Sequence, residues 1–152
     1  MTSPFYRALE WLWPIEGGWW AGTAKSDPNP TMYGITARTF ADAQRRYNWY
    51  PKPVREITKA EATVIYWLEY WMAGGCHKLA WPLALVHFDA CVNHGVGNAA
   101  RLLRRANGSW VDYIAARISF YKAIIEANPD LAPNARGWAN RMTKLESACA
   151  KA

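Results

Sequence analysis

The sequence predicts a mainly α-helical domain spanning residues 1–152, with one small β or irregular element after the first helix. Three observations carry this. Apolar residues recur at helical spacing through most of the chain, and Gly and Pro clusters divide it into helix-length pieces. Only residues 19–36 lose that periodicity altogether. With 152 residues, 51% hydrophobic and 20% charged, the chain has the size and balance of an ordinary globular domain. It can bury about two thirds of its unfolded surface without disulfides.

Ser3-Pro4 has the form of a helix start, with Ser as N-cap and Pro at the first helical position. Phe5, Leu9 and Leu12 then lie on one face, Gly17-Gly18 ends the helix, and Pro14 should kink or tighten its last turn because it lacks an amide hydrogen. Asp27-Pro28-Asn29-Pro30 and Tyr33-Gly34-Ile35-Thr36 read as a loop or a small hairpin. Thr36 can cap a helix over ARTFADAQRRY, which Pro51-Lys52-Pro53 then breaks.

Thr58 and Glu61 form a capping box before an apolar stripe of Val64, Leu68, Trp71 and Met72, and Gly74-Gly75 supplies the stop. Leu83 to Val92 is apolar enough for a buried helix, and Ala99 to Ala106 for a short one. Ser109 and Asp112 start a longer helix whose Val111, Ile114, Ile118 and Ile125 are expected to face the core. Pro129 and Pro133 separate it from a last helix around Trp138, Met142 and Leu145.

The net charge of +6 and a pI near 9.4 imply attraction to anionic polymers such as peptidoglycan, teichoic acids, lipid head groups or nucleic acids. The three cysteines, Cys76, Cys91 and Cys149, are odd in number and unevenly spaced, the pattern of buried reduced thiols more than of a disulfide framework. The N-terminus lacks a signal peptide's charged start and unbroken apolar middle, and no apolar run is long enough to span a membrane.

Glu16 is the candidate acid. It closes the first helix at the negative end of the macrodipole, beside Trp19 and Trp20. Both surroundings are expected to favour a protonated carboxyl able to protonate a glycosidic oxygen. A glycosidase normally needs a second group across the bond. Asp27, eleven positions on, is the local candidate, and the Thr31 hydroxyl can position water. Asp27 is equally suited to an Asx turn before Pro28.

The segment EGGWWAGTAKSDPNPTMYGIT resembles the front of glycoside hydrolase family 108, the bacterial and phage muramidases. Three later blocks follow in the family's order. They are Ile65-Tyr66 with Tyr70-Trp71, Phe88-Asp89-Ala90-Cys91-Val92-Asn93-His94-Gly95, and Gly137-Trp138-Ala139-Asn140-Arg141. The chain departs from the family pattern at Asn29-Pro30, where glycines are usual, and at Leu103-Arg104, where a Leu-Gln pair is usual.

The resemblance implies a lysozyme-like helical fold and hydrolysis of the β-1,4 bond between N-acetylmuramic acid and N-acetylglucosamine, with Glu16 as catalytic residue and no cofactor. Tyr33 and Asn93 are then candidates for sugar contacts, with Trp19 and Trp20 as stacking faces. A monomeric phage endolysin is the expected setting, held in the host cytoplasm and released to the wall through a holin lesion. Peptidoglycan is its partner, the anionic envelope a further electrostatic contact, and nucleic acid is not expected to be bound.

Two other classes compete. A zinc amidase acting on the peptide stem would use the cluster Cys76, His77, His87, Cys91 and His94, but no HExxH or CxxC pattern occurs, and core or surface roles account for these residues without a metal. A noncatalytic wall- or nucleic-acid-binding module would use the Arg101-Leu102-Leu103-Arg104-Arg105 run. It leaves the Glu-Gly-Gly turn unexplained, and such a run is usually a solvated helix face.

Overall fold

The structure, a computed structural model, describes residues 2–22 and 29–152. Helix α1 (Pro4–Glu16) begins as expected, with the Ser3 hydroxyl accepting from the Tyr6 amide. It continues through Pro14 and ends when Gly17, at φ 69°, donates its N–H to the Trp13 carbonyl. Phe5, Ala8, Leu9 and Leu12 are its buried face.

Strands β1 (Thr31–Met32) and β2 (Ile35–Thr36) form an antiparallel hairpin pairing Thr31 with Thr36 and Met32 with Ile35. Tyr33 (φ 52°) and Gly34 (φ 76°) make its two-residue turn, both in the left-handed conformation that a type I′ hairpin requires. Trp20 extends the ladder by pairing with Thr31.

Thr36 caps α2 (Ala37–Tyr47) by accepting from the Thr39 amide. The capping box at α3 (Lys59–Ile65) is complete, with Thr58 and Glu61 each accepting the other's backbone N–H at 3.1 and 2.8 Å. The expected stripe beyond it is corrected. Val64, Leu68 and Met72 are exposed, Trp71 is buried as expected, and Ile65 and Tyr66 take the other inward positions. Beyond Ile65 the helix is π-helical over Tyr66–Met72, and its wider turn brings residues five apart, Tyr66 and Trp71, onto one face.

Helix α4 (Leu83–His94) is the central element, with residues 84–91 all buried. It packs against α1, α5 (Val96–Ala106), α6 (Trp110–Ala127) and α7 (Ala135–Ala150). Phe88 of α4 meets Phe5 and Trp71 edge-on, with ring centroids 6.0 and 5.5 Å apart, a favoured aromatic geometry.

Ser109 caps α6 as expected, but the face assigned to that helix needs a second correction. Val111 and Ile118 are exposed, Ile125 is half-buried, and the helix buries Tyr113, Ile114, Arg117 and Tyr121. A charged residue therefore occupies the inward face, which a search for apolar periodicity passes over. Met142, Leu145 and Cys149 are the buried face of α7, and Trp138 stacks on Tyr121 at 4.6 Å. All three cysteines are buried free thiols.

Candidate active site

Glu16 is the last residue of α1, and its side chain retains 19% of its exposure. It is accessible to a ligand, yet two other elements hold it. Its Oε1 accepts from Arg141 Nη2 of α7 at 2.8 Å, a cation placed at the negative end of the α1 dipole. On its other side lies the hairpin turn, where a Cβ on Gly34 would come within 2.8 Å of Glu16 Cβ and Oε2 and 2.6 Å of Tyr66 Oη. Only glycine allows the turn to lie this close to the carboxyl group.

Tyr66, from the π-helical segment, fixes the turn itself by donating to the Tyr33 carbonyl at 2.7 Å. Burial, reinforced by the nearby Glu16 carboxylate, pushes the Tyr66 phenol well above its ordinary pKa, so it remains a donor. Trp13 closes this layer, with ring centroids 5.7 Å from Tyr33 and 5.6 Å from Tyr66.

Behind Glu16 runs a chain of alternating charges. Arg141 also binds Asp89 of α4, through Nη2 at 2.7 Å and Nε at 3.1 and 3.2 Å. Arg117 of α6 binds the other Asp89 oxygen at 2.7 Å. Asp89 and Arg117 are both fully buried, and two charges so placed persist only because they are paired and hydrogen-bonded. Burial alone would raise the Asp89 pKa, but Arg141 and Arg117 together outweigh it and hold the carboxylate below its ordinary value.

Arg117 continues inward, donating from Nε to His94 Nε2 at 3.0 Å and from Nη2 to the Tyr121 hydroxyl at 3.4 Å. His94 must therefore present a bare nitrogen. Burial first, and then Arg117, depress its pKa to about 3.

The residues expected from the sequence divide as follows. Glu16 stands at this centre, and Tyr33 is in the turn beside it, presenting its carbonyl to Tyr66 and its ring to Trp13. Thr31 is half-buried in β1, with its backbone paired to Trp20 in both directions at 2.8 Å. Asp27 lies outside the described residues.

Trp19 and Trp20 are 41% and 47% exposed, and Arg55 lies over the Trp19 ring at 5.2 Å. The indole packed in the layer beside the acid is Trp13. The Asn93 carbonyl oxygen accepts from the Tyr121 hydroxyl, so that half of its amide is engaged within the protein. An apolar groove of about 300 Å³ between α6 and α7, lined by Ile118, Tyr121, Ile125, Trp138 and Met142, includes neither Glu16 nor Arg141.

Sequence reasoning assigned no role to Asp89 or Arg141, although both occur in the blocks that carry the family resemblance. The available signal is Asp89 itself. An acidic residue inside the apolar run Leu83 to Val92 needs a buried cation from another element.

The family model described as glycosyl hydrolase 108 matches residues 9–95. That is more than half of the chain, and it contains Glu16, the hairpin, Tyr66 and Asp89. The chain belongs to glycosyl hydrolase family 108. Arg117 and Arg141 lie beyond the matched span, so in this chain the matched segment receives the cations that pair with Asp89 from α6 and α7.

Among solved structures, the chain is similar to the structure of Brucella abortus SagA. The TM-score is 0.77 at 20% identity, over 97% of this chain and 94% of that one. This likeness extends through α7 and shows the lysozyme-like helical fold. No curated protein sequence matches the chain.

Proposed function

We propose that this family 108 glycoside hydrolase cleaves the β-1,4 bond between N-acetylmuramic acid and N-acetylglucosamine in peptidoglycan, with Glu16 as its general acid. The observation that carries the reading is the placement of Glu16. It is a partly exposed carboxyl group at the end of a rigid helix, inside the family match and held by Arg141 on one side and the Gly34 turn on the other. Rigid placement of the reacting group is what proton transfer in a glycosidase requires.

In the proposed reaction Glu16 gives a proton to the leaving glycosidic oxygen as its bond to the anomeric carbon breaks. Asp27, with Thr31, stabilises the oxocarbenium-like transition state or directs water. Water supplies the hydroxyl on the anomeric carbon, and its remaining proton restores the carboxyl pair. Tyr33, Asn93, Trp19 and Trp20 are the proposed sugar contacts. The exposure of both indoles supports this, although Arg55 lies over the Trp19 ring at 5.2 Å.

The setting we infer is that of a monomeric phage-type endolysin, stored in the host cytoplasm until a holin lesion admits it to the wall. A net charge of +6 suits adhesion to an anionic envelope. No helix among the described residues is long and apolar enough to cross a membrane.

The deciding experiment is mass spectrometry of the reducing ends released from purified peptidoglycan by the wild type and by Glu16→Gln. Muramic acid ends from the wild type, reduced roughly 100-fold or more in the variant, are expected for loss of a general acid. Glucosamine ends, cleaved peptide stems, binding without product, or a fully active Glu16→Gln would each overturn the assignment.

A further inference from the structure

A second cluster of reactive side chains lies in the interior, apart from the Glu16 charge chain. Cys76, in the short 3₁₀ turn Cys76–Lys78, and His87 and Cys91, one turn apart on α4, are all buried. Cys76 Sγ, Cys91 Sγ and a ring nitrogen of His87 lie within 4.8 Å of one another. A Cβ on Gly74 would come within 2.5 Å of Cys91 Sγ and 3.5 Å of Cys76 Sγ, so this glycine leaves the space in which the two sulfurs meet.

The hydrogens around His87 fix its charge. Its Nε2 lies 2.8 Å from the Gly74 carbonyl, a gap that holds a hydrogen and is too short for a metal ion bound at about 2 Å on each side. Its Nδ1 lies 2.8 Å from the Tyr113 hydroxyl, and that hydroxyl lies 2.9 Å from the Ala99 carbonyl. Three contacts need three hydrogens, and a neutral imidazole and a phenol bring two. Cys91 Sγ, 3.7 Å from Nε2, has the third to give. With that proton His87 donates from both nitrogens and Tyr113 donates to Ala99, which leaves Cys91 as a thiolate beside an imidazolium.

The two sulfurs are not equivalent. Hydrogen bonds from Cys76 first, and then from His87, outweigh burial and bring the Cys91 thiol down to about 6. Cys91 and burial together push Cys76 far up, so Cys76 keeps its proton. Burial alone would lower His87, but Cys91 outweighs it and raises the imidazole. A thiolate is the nucleophilic form of cysteine, and here it has a second thiol at hand. Cys76 also forms part of the wall of a surface groove of about 210 Å³, shared with Phe5, Trp67 and Trp71. Hydrogen peroxide, little larger than water, has a short way in.

We propose that Cys91 and Cys76 form a redox-active dithiol, which a peroxide oxidises to a disulfide tying the turn after the π-helical segment to α4. The Cys91 thiolate attacks one peroxide oxygen, an S–O bond forms, the O–O bond breaks, and the leaving hydroxide takes the His87 imidazolium proton to become water. The Cys76 sulfur then displaces hydroxide from the Cys91 sulfenic acid, and the proton of Cys76 leaves with it as a second water. The two sulfurs lose two electrons and the peroxide gains them.

The test is to treat the reduced, folded chain with a small excess of hydrogen peroxide, then denature it, alkylate free thiols and measure masses. A chain lighter by two hydrogens is expected, with a linked Cys76–Cys91 peptide, an alkylated Cys149, and reversal by dithiothreitol. Cys76→Ala should stop at a Cys91 sulfenic acid that dimedone traps, while Cys149→Ala should behave as wild type. Three alkylated thiols in the treated wild type, or a bridge that includes Cys149, would overturn the proposal. Nitrogen NMR of the reduced wild type tests the ion pair directly. Both His87 ring nitrogens should carry hydrogens at neutral pH, and a neutral ring would overturn the assignment of Cys91 as the attacking thiolate. The wild-type measurements decide the matter even if Cys76→Ala fails to fold.

Discussion

Arg141 Nη2 lies 2.8 Å from Glu16 Oε1 and 2.7 Å from Asp89 Oδ1, so one nitrogen joins the candidate acid to the buried charge pair. Its Nε adds two further contacts to Asp89. The guanidinium is thus fixed from within and presents a defined donor to Glu16. Arg141→Met should destabilise the fold by about 3 kcal/mol or more, because Asp89 then faces a single cation inside the protein.

Arg141→Lys keeps the charge but cannot reproduce the fork. It should lose less stability, yet lower turnover on peptidoglycan at temperatures where both proteins are folded. Chemical denaturation beside initial rates of wall solubilisation separates the two effects. Wild-type turnover in Arg141→Lys would mean that Glu16 does not need this donor.

Gly34 makes a sharper probe of the same carboxyl group. Gly34→Ala incurs the cost of a left-handed backbone at φ +76° together with a collision against Tyr66 Oη and Glu16. Gly108→Ala, at φ +83° with nothing within 4 Å, carries the backbone cost alone, about 1–2 kcal/mol. Gly34→Ala should therefore lose activity well beyond what its stability explains, while Gly108→Ala should lose only stability. Equal specific activities of the folded proteins would show that the turn does not position Glu16.

The caps, the stops and most helix boundaries were legible because they depend on residues three or four apart. Ser3, Thr36, Thr58 and Ser109 each cap the helix expected of them. The faces of two elements were not. A π-helical segment shifts the phase after Ile65, and α6 turns Arg117 inward to meet Asp89. Glu16 is a candidate from its turn alone, and its ion-pair partner Arg141 is 125 positions away. Such a pairing depends on how α7 packs across α4, which no local spacing encodes. Asp27 lies outside the described residues, so its role rests on the sequence.

Tyr66 offers a test that leaves the charges alone. Tyr66→Phe removes only the hydroxyl that donates to the Tyr33 carbonyl at 2.7 Å. It should cost about 1 kcal/mol of stability and loosen a turn in which a bulky residue holds φ at 52°. Hydrogen exchange of the hairpin amides should accelerate in the variant while those of α5 and α6 do not. Unchanged hairpin protection would assign Tyr66 to packing alone.

His94 gives the fold a pH dependence whose sign follows from its surroundings. Its folded pKa of about 3 lies far below its ordinary value of 6.5, because burial and the Arg117 donor oppose a second proton. Below pH 6.5 the unfolded chain takes up that proton and the folded chain does not, so stability must fall as pH drops from 6.5 towards 3. Each pH unit in the window is worth up to about 1.4 kcal/mol, giving a loss on the order of 2–3 kcal/mol between pH 7 and 4.5.

Asp89 adds a loss of the same sign only at still lower pH, since its folded value lies below 3.8. His94→Gln keeps an acceptor for Arg117 without a titrating ring and should flatten the profile above pH 4.5. Urea unfolding of both proteins at pH 7, 5.5 and 4.5 measures the slopes directly. Parallel slopes would mean that the imidazole is already protonated in the folded chain, and the Arg117-to-His94 bond would have to be redrawn.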